Sequence, residues 1–229
     1  MEEPRILVSA CAAEGENALC LAALIQAGGI PVARYAPAVD LSFDGLLLCG
    51  GGGQQADHGR TAAEETLVRA YAEYGKPIFG IGCGACSINT AMGGSLWQPP
   101  ALPGQPDAPY CTVRAAEGSL LWDLYDSRFT VDLVSPLAVR RAGCGITPTA
   151  WGTNGAILGF EHERLPILGV HWHPERILQG EGGCATGLPL FRYFICLCRE
   201  EGAVLHEPLS YSPDVRFACG LIDGEEEKE

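Results

Sequence analysis

Apolar and polar positions alternate between two patterns through the first ninety residues. Short apolar runs stand at 5–9, Ile30–Tyr35, 44–49 and 77–81. The run Gly45-Leu46-Leu47-Leu48-Cys49 is apolar at both alternating positions, as a strand covered on both faces should be. Between the runs, 17–27 places Ala, Leu and Ile at helical spacing and stops at Gly28-Gly29, a C-cap signal. A second helix is predicted behind Thr61-x-x-Glu64, which reads as a capping box, with Ala63, Leu67, Ala70, Tyr71 and Tyr74 on its buried face. A third follows the glycines after 77–81 and runs through Met92. Strand, helix, strand, helix with short links predicts a parallel sheet with right-handed crossovers.

The second half changes character. Residues 98–109 are rich in Pro and Gly and predict a loop. Short β-like runs follow at 111–114, 129–134, 137–141, 156–160 and 167–171, then a strong helix at 188–201. No repeat is evident. One α/β domain over 1–222 with a small antiparallel insertion in its second half accounts for the pattern. Residues 223–229 form an acidic tail.

Composition narrows the function. The chain of 229 residues is 47% hydrophobic and 19% charged, so its bulk has the makings of a core. A net charge of −13 argues against a nucleic-acid partner, which would select a basic surface. No stretch of 18 apolar residues predicts a membrane span, and the acidic start does not read as a secretory signal. Eleven cysteines, an odd number lying mostly in apolar runs such as those around Cys20, Cys49, Cys196 and Cys198, fit reduced thiols in a cytoplasmic protein.

Sites in open parallel sheets lie at the carboxyl ends of strands. Two such ends are glycine-rich here. Gly50-Gly51-Gly52-Gly53 is either a tight turn or a row of N–H groups for an anion. Phe79-Gly80-Ile81-Gly82-Cys83-Gly84-Ala85-Cys86 has the strand–turn–helix shape of a nucleophile elbow, whose pattern is small-x-nucleophile-x-small. Gly80 and Gly84 fit the flanks and put the apex at Gly82, which has no side chain; Cys83 stands one step off. At the end of the last predicted strand, His171-Trp172-His173-Pro174-Glu175 can pair the His173 imidazole with the Glu175 carboxylate. Cys83-x-x-Cys86 also has the spacing of a redox dithiol, and with His171 and His173 would offer ligands for Zn²⁺. His58, His162 and His206 read as surface residues, and Trp172 as packing.

Several segments together resemble the class I glutamine amidotransferase-like family, closest to its γ-glutamyl-γ-aminobutyrate hydrolases. They include Asp44 to Gly51, Lys76-Pro77-Ile78-Phe79-Gly80-Ile81, the run from Asn89 to Gln98, and Gly169-Val170-His171-Trp172-His173-Pro174-Glu175. The resemblance implies a flavodoxin-like three-layer α/β sandwich around a mostly parallel sheet. It implies a Cys-His-Glu triad that cleaves a γ-glutamyl amide through a thioester, with no cofactor and a small γ-glutamyl or amino-acid-like ligand, and it allows a homodimer. His173 and Glu175 match the triad's His and Glu. The family elbow reads G-I-C-R-G-x-Q with Asn seven residues after the Cys, and Asn89 sets that Cys at Gly82. Cys83 then stands for Arg and Cys86 for the substrate-side Gln. Gly51, Gly52, Cys83 and Cys86 are the matching oxyanion and substrate positions. The stretch 132–137 keeps none of the polar residues of the hydrolases' N-S-x-H-H-Q segment. The expectation is a non-catalytic member; the alternatives are a hydrolase using Cys83 as a displaced nucleophile, or a Zn²⁺ or redox site at Cys83/Cys86.

Overall fold

The computed structural model describes residues 2–11, 17–50, 58–98, 110–132, 137–178 and 184–199. The acidic tail, Gly51, Gly52, and most of the stretches 98–109 and 132–137 lie outside the described residues.

Each short, largely apolar run of the first half is a strand. These are β1 (Arg5–Ala10), β2 (Ile30–Tyr35), β3 (Gly45–Leu48) and β4 (Ile78–Ile81), joined by β11 (Ile167–Val170) from the second half. They lie side by side in the order β2-β1-β3-β4-β11, every pair parallel. Helices α1 (Ala18–Gln26), α2 (His58–Glu73), α3 (Cys83–Ala91) and α5 (Leu188–Arg199) flank this part.

The period of two hidden in these apolar runs sorts their side chains to two faces. Ile6, Val8, Leu47, Phe79, Ile81 and Val170 pack with α1 and α5, while Leu7, Leu46, Leu48 and Ile78 pack with Leu67, Val68 and Tyr71 of α2 and Ala85 and Ile88 of α3. Phe79 meets Phe191 edge-on at 5.5 Å between ring centres and Phe194 at 5.8 Å. Burying each such ring contributes roughly 1.5–3 kcal/mol. A continuous apolar strand is therefore two half-strands, each serving its own helical layer.

The antiparallel part continues the same sheet. From β11 it runs through β10 (Ile157–His162), β9 (Ile146–Gly152), β6 (Tyr110–Ala115) and β7 (Arg128–Asp132), all antiparallel, with β8 (Ala138–Arg141) pairing off β10 and β5 (Ser95–Trp97) pairing with β8. The sheet is mixed, and its antiparallel half is as extensive as its parallel one. Within it, the six-residue α4 (Leu120–Tyr125) is capped by Ser119, whose hydroxyl accepts the Trp122 N–H at 3.2 Å.

Two local readings change. Thr61 lies inside α2 rather than capping it, and the buried face of that helix is Glu64, Leu67, Val68 and Tyr71, whereas Tyr74 is exposed. His162 is buried, not on the surface: its Nδ1 accepts the N–H groups of Arg164 and Leu165, both at 3.1 Å, and so ties the turn after β10.

Candidate functional site

Three neighbouring parallel strands end together at their carboxyl edge. β3 leads into Cys49-Gly50, β4 into Gly82, and β11 into His171-Trp172-His173. Strand register fixes the heights of the last two: Val170 pairs with Ile81, and the Gly82 N–H donates to Val170 O at 2.8 Å.

The turn from β4 into α3 has its apex at Gly82, with φ 54° and ψ −113°. That is a left-handed value of φ, which costs most side chains of order 1–3 kcal/mol and glycine little. The flanks must be small for a different reason. A Cβ at Gly80 would lie 2.8 Å from Ala85 N, and one at Gly84 would run into the Leu48 carbonyl. Position 82 itself is roomy. The atoms nearest a Cβ there would be Gly50 Cα, His173 Cε1 and His173 Nε2, each at 3.5 Å, an ordinary van der Waals contact. A side chain at 82 would therefore face the imidazole.

His173 is held from three sides. Its N–H donates to Asp132 O at 3.3 Å, and its carbonyl accepts Arg176 N–H at 3.1 Å from the single 3₁₀ turn Pro174–Arg176. Its Nδ1 meets Glu175 Oε1 at 2.7 Å. In the neutral ring Nδ1 carries the proton for that bond, which leaves the Nε2 lone pair directed toward Gly82. Glu175 is buried, and its second oxygen has no hydrogen-bond partner among the described residues. Trp172, buried, packs edge-on against Phe129 at 5.7 Å and sets the plane of the segment.

Cys83 and Cys86 point to different surroundings. Cys83, the first residue of α3, is half-buried, and its charge acts on Arg60 and Cys86. Burial, then the charges of Cys83 and Glu64, push the Cys86 thiol far up, so it is no ready thiolate. His171 is wholly buried; burial lowers its pKa to about 4, against a weak opposing contribution from the Leu137 backbone. Neither of its ring nitrogens reaches a partner at good hydrogen-bond geometry. Among the described residues, which include Cys83, Cys86, His171 and His173, no three His, Cys, Asp or Glu side chains are gathered as a metal site. The four residues of the Zn²⁺ alternative are not gathered: His171 is wholly buried while His173, two residues on, lies against Gly82.

A buried polar network beneath the site went unread in the sequence. Glu64 Oε1 accepts from Ser9 Oγ and Arg60 Nε, both at 2.9 Å, and Oε2 accepts from Ser87 Oγ at 2.6 Å. Arg60 also donates to Cys11 Sγ at 3.2 Å and to the Cys49 carbonyl, and Cys11 Sγ donates to Gly50 O at 3.0 Å. Burial favours neutral Arg60, but Glu64 and then the thiols of Cys11, Cys49 and Cys83 outweigh it and hold the guanidinium charged. The signal was available: Arg60 and Glu64, four residues apart, fall on the otherwise apolar face of α2.

Comparison with known proteins decides the family. The Peptidase C26 family profile matches residues 16–175. The chain belongs to the Peptidase C26 family. That match spans the three strand ends and closes on Glu175. Among its relatives, a Schizosaccharomyces pombe protein named as a glutamine amidotransferase is 29% identical over 204 residues, covering 76% of this chain and 78% of that one. An anthranilate synthase component 2 of Mycobacterium tuberculosis is 31% identical over 147 residues, covering 64% of this chain and 60% of that one. In fold, this Peptidase C26 member is similar to a solved glutamine amidotransferase from Thermotoga maritima, with a TM-score of 0.64 at 14% identity, covering 76% of this chain and 77% of that one. A Thermoplasma acidophilum structure named for part of a GMP synthase gives 0.70 at 20% identity over 86% of this chain and 95% of that one. The amidotransferase-like, flavodoxin-like α/β architecture expected from the sequence is the architecture found. No helix among the described residues is long and apolar enough to cross a membrane.

Proposed function

We propose that this Peptidase C26 protein binds a small γ-glutamyl or amino-acid-like ligand at the carboxyl edge of its sheet and lacks the thiol step by which the family cleaves γ-glutamyl amides. The observation that carries this reading is the direction of position 82. Its Cβ vector meets His173 Nε2 at 3.5 Å, where a triad nucleophile would stand, and the residue is glycine. His173 and Glu175 keep the partner geometry of a triad, so the base is present and its thiol is not. Cys83 is a poor substitute. The next residue along a helix start is turned well away from its neighbour, and about 1 Å of misplacement can cost 10²-fold. The buried thiols and the net charge of −13 support a reducing, cytoplasmic setting and a partner other than nucleic acid.

The test is glutamate release from γ-glutamyl-γ-aminobutyrate by wild type, Cys83→Ala and Gly82→Cys. Wild type is expected to stay near the trace rate left by an oxyanion site and binding alone, about 10³–10⁴ over water. Gly82→Cys is expected to alkylate at residue 82 faster than at the native thiols. Robust wild-type turnover abolished by Cys83→Ala would overturn the reading and make Cys83 the nucleophile.

A further inference from the structure

The parts that remain at this edge are those a Cys-dependent amidase uses in its second half-reaction, the attack of water on a thioester. A base stands at 3.5 Å from the Cβ position of residue 82. A buried carboxylate orients that base at 2.7 Å. Helix α3 begins right at the apex: its first intrahelical bond from this end runs from Cys86 N–H to Gly82 O at 3.3 Å, so the N–H groups of Cys83, Gly84 and Ala85 precede it. Those donors lie where negative charge would develop on an acyl oxygen. What is missing is the sulfur, and a substrate can bring it.

We propose that the chain is a hydrolase of acyl thioesters formed on a small external thiol, with an acyl group of glutamyl size. This rests on the reading of Gly82 as the nucleophile position. The substrate's sulfur takes the space above Gly82 Cα that a cysteine side chain would fill. His173 Nε2 removes a proton from water as its oxygen bonds to the acyl carbon. The carbonyl oxygen gains charge at the start of α3. The intermediate then collapses, the C–S bond breaks, and the thiolate leaves and takes up the proton held by His173. The balance is thioester plus water to carboxylic acid plus thiol, with no oxidant or reductant. Leaving-group chemistry explains why thioester is favoured over amide. A thiolate departs readily at neutral pH, whereas an amide nitrogen must be protonated to leave and its carbonyl is less electrophilic. Direct attack by water on an amide would forgo the acceleration that the thiol supplies; on a thioester nothing is forgone. The flanking glycines add a steric reason, because Gly50 Cα and Gly82 Cα form the floor of that space.

The probe is the glutaryl thioester of N-acetylcysteamine, which has no α-amine to cyclise onto the acyl carbon. Its hydrolysis is followed by the ultraviolet absorbance of the thioester bond, with thermal melts as the control for folding. Wild type should exceed His173→Ala by about 10²-fold or more, the usual contribution of a positioned base. L-glutamine in parallel should give no release of ammonia above the trace. Equal rates for wild type and folded His173→Ala would overturn the proposal. Failure here is separable from failure of the underlying reading. If residue 82 of Gly82→Cys is selectively alkylated but the wild type leaves the thioester intact, position 82 keeps its assignment and only the thioesterase falls. If the thiol introduced by Gly82→Cys is no more reactive than the native thiols, both fall.

Discussion

Gly50 and His173 touch so closely that a Cβ on Gly50 would lie 2.6 Å from His173 Cε1 and 3.2 Å from Ile81 O. The end of β3 thus acts as a wall against which the imidazole is pressed, and Cys11, through its bond to Gly50 O, supports the wall from behind. The substitution Gly50→Ala should push His173 out of line with position 82. Overpacking of this kind costs about 1–3 kcal/mol, read as a lower melting temperature. In a Gly82→Cys background it should also slow alkylation of residue 82, because the base no longer reaches the thiol. Unchanged alkylation would show that the contact with Gly50 does not set the position of the His173 ring.

The Arg60–Glu64 pair is almost wholly buried, with side chains 6% and 3% exposed. Breaking a buried pair on one side strands the other charge and costs about 3–5 kcal/mol. Arg60→Met is therefore expected to destabilise severely, since Glu64 keeps only the Ser9 and Ser87 hydroxyls. The double variant Arg60→Met/Glu64→Gln should recover a large part of that loss. Chemical denaturation of the wild type and both variants checks it; equal loss in single and double variants would show that packing, not charge, sets the cost.

Glu161 gives a pH dependence of known sign. It is buried in β10, and burial raises its pKa from 4.5 to about 7, against the opposing bonds from Thr149 and the Leu120 N–H. The folded state binds this proton more tightly than the unfolded chain. The stability it contributes is fully present below about pH 4.5 and is lost as pH rises through about 7. Glu161→Gln should remove that decline, so the difference in melting temperature between variant and wild type grows in the variant's favour from about pH 5 to about 8. A constant difference would contradict the assignment.

His171 titrates in the opposite sense. Its folded pKa of about 4 lies below the ordinary 6.5, so the stability linked to its neutral form is present above 6.5 and is lost as pH falls toward 4. His171→Phe exchanges ring nitrogens that make no bond of good geometry among the described residues for carbon in a wholly buried place. The change should be near neutral or stabilising at neutral pH, within about 1 kcal/mol, and should flatten the acid limb of the stability curve. A loss of several kcal/mol would mean that the ring nitrogens are satisfied in solution.

How much could be read beforehand depended on local pattern. β3, β4 and β11 were legible because each is an apolar run buried along its whole length, and β1 and β2 because short, largely apolar stretches stand between turn residues. β9 was missed because Thr147, Pro148 and Thr149 break its apolar alternation, although the strand is held on both sides by β10 and β6. β5 spans three residues and α4 six, too short for any period to show. The Thr61-x-x-Glu64 spacing matched a local cap, but Glu64 is used by Ser9 and Ser87, 55 and 23 residues away in the chain. Contacts at that range leave no mark in a window of four residues.

The backbone at Gly82 also sets a direction of change. An apex at φ 54° taxes every side chain, and glycine alone escapes it. A chain with a thiol there must hold the turn against its own tendency to relax; a chain with glycine need not. Any residue other than glycine at the apex is thus opposed by the turn itself, so the backbone at 82 selects against a side chain independently of what that side chain could do chemically.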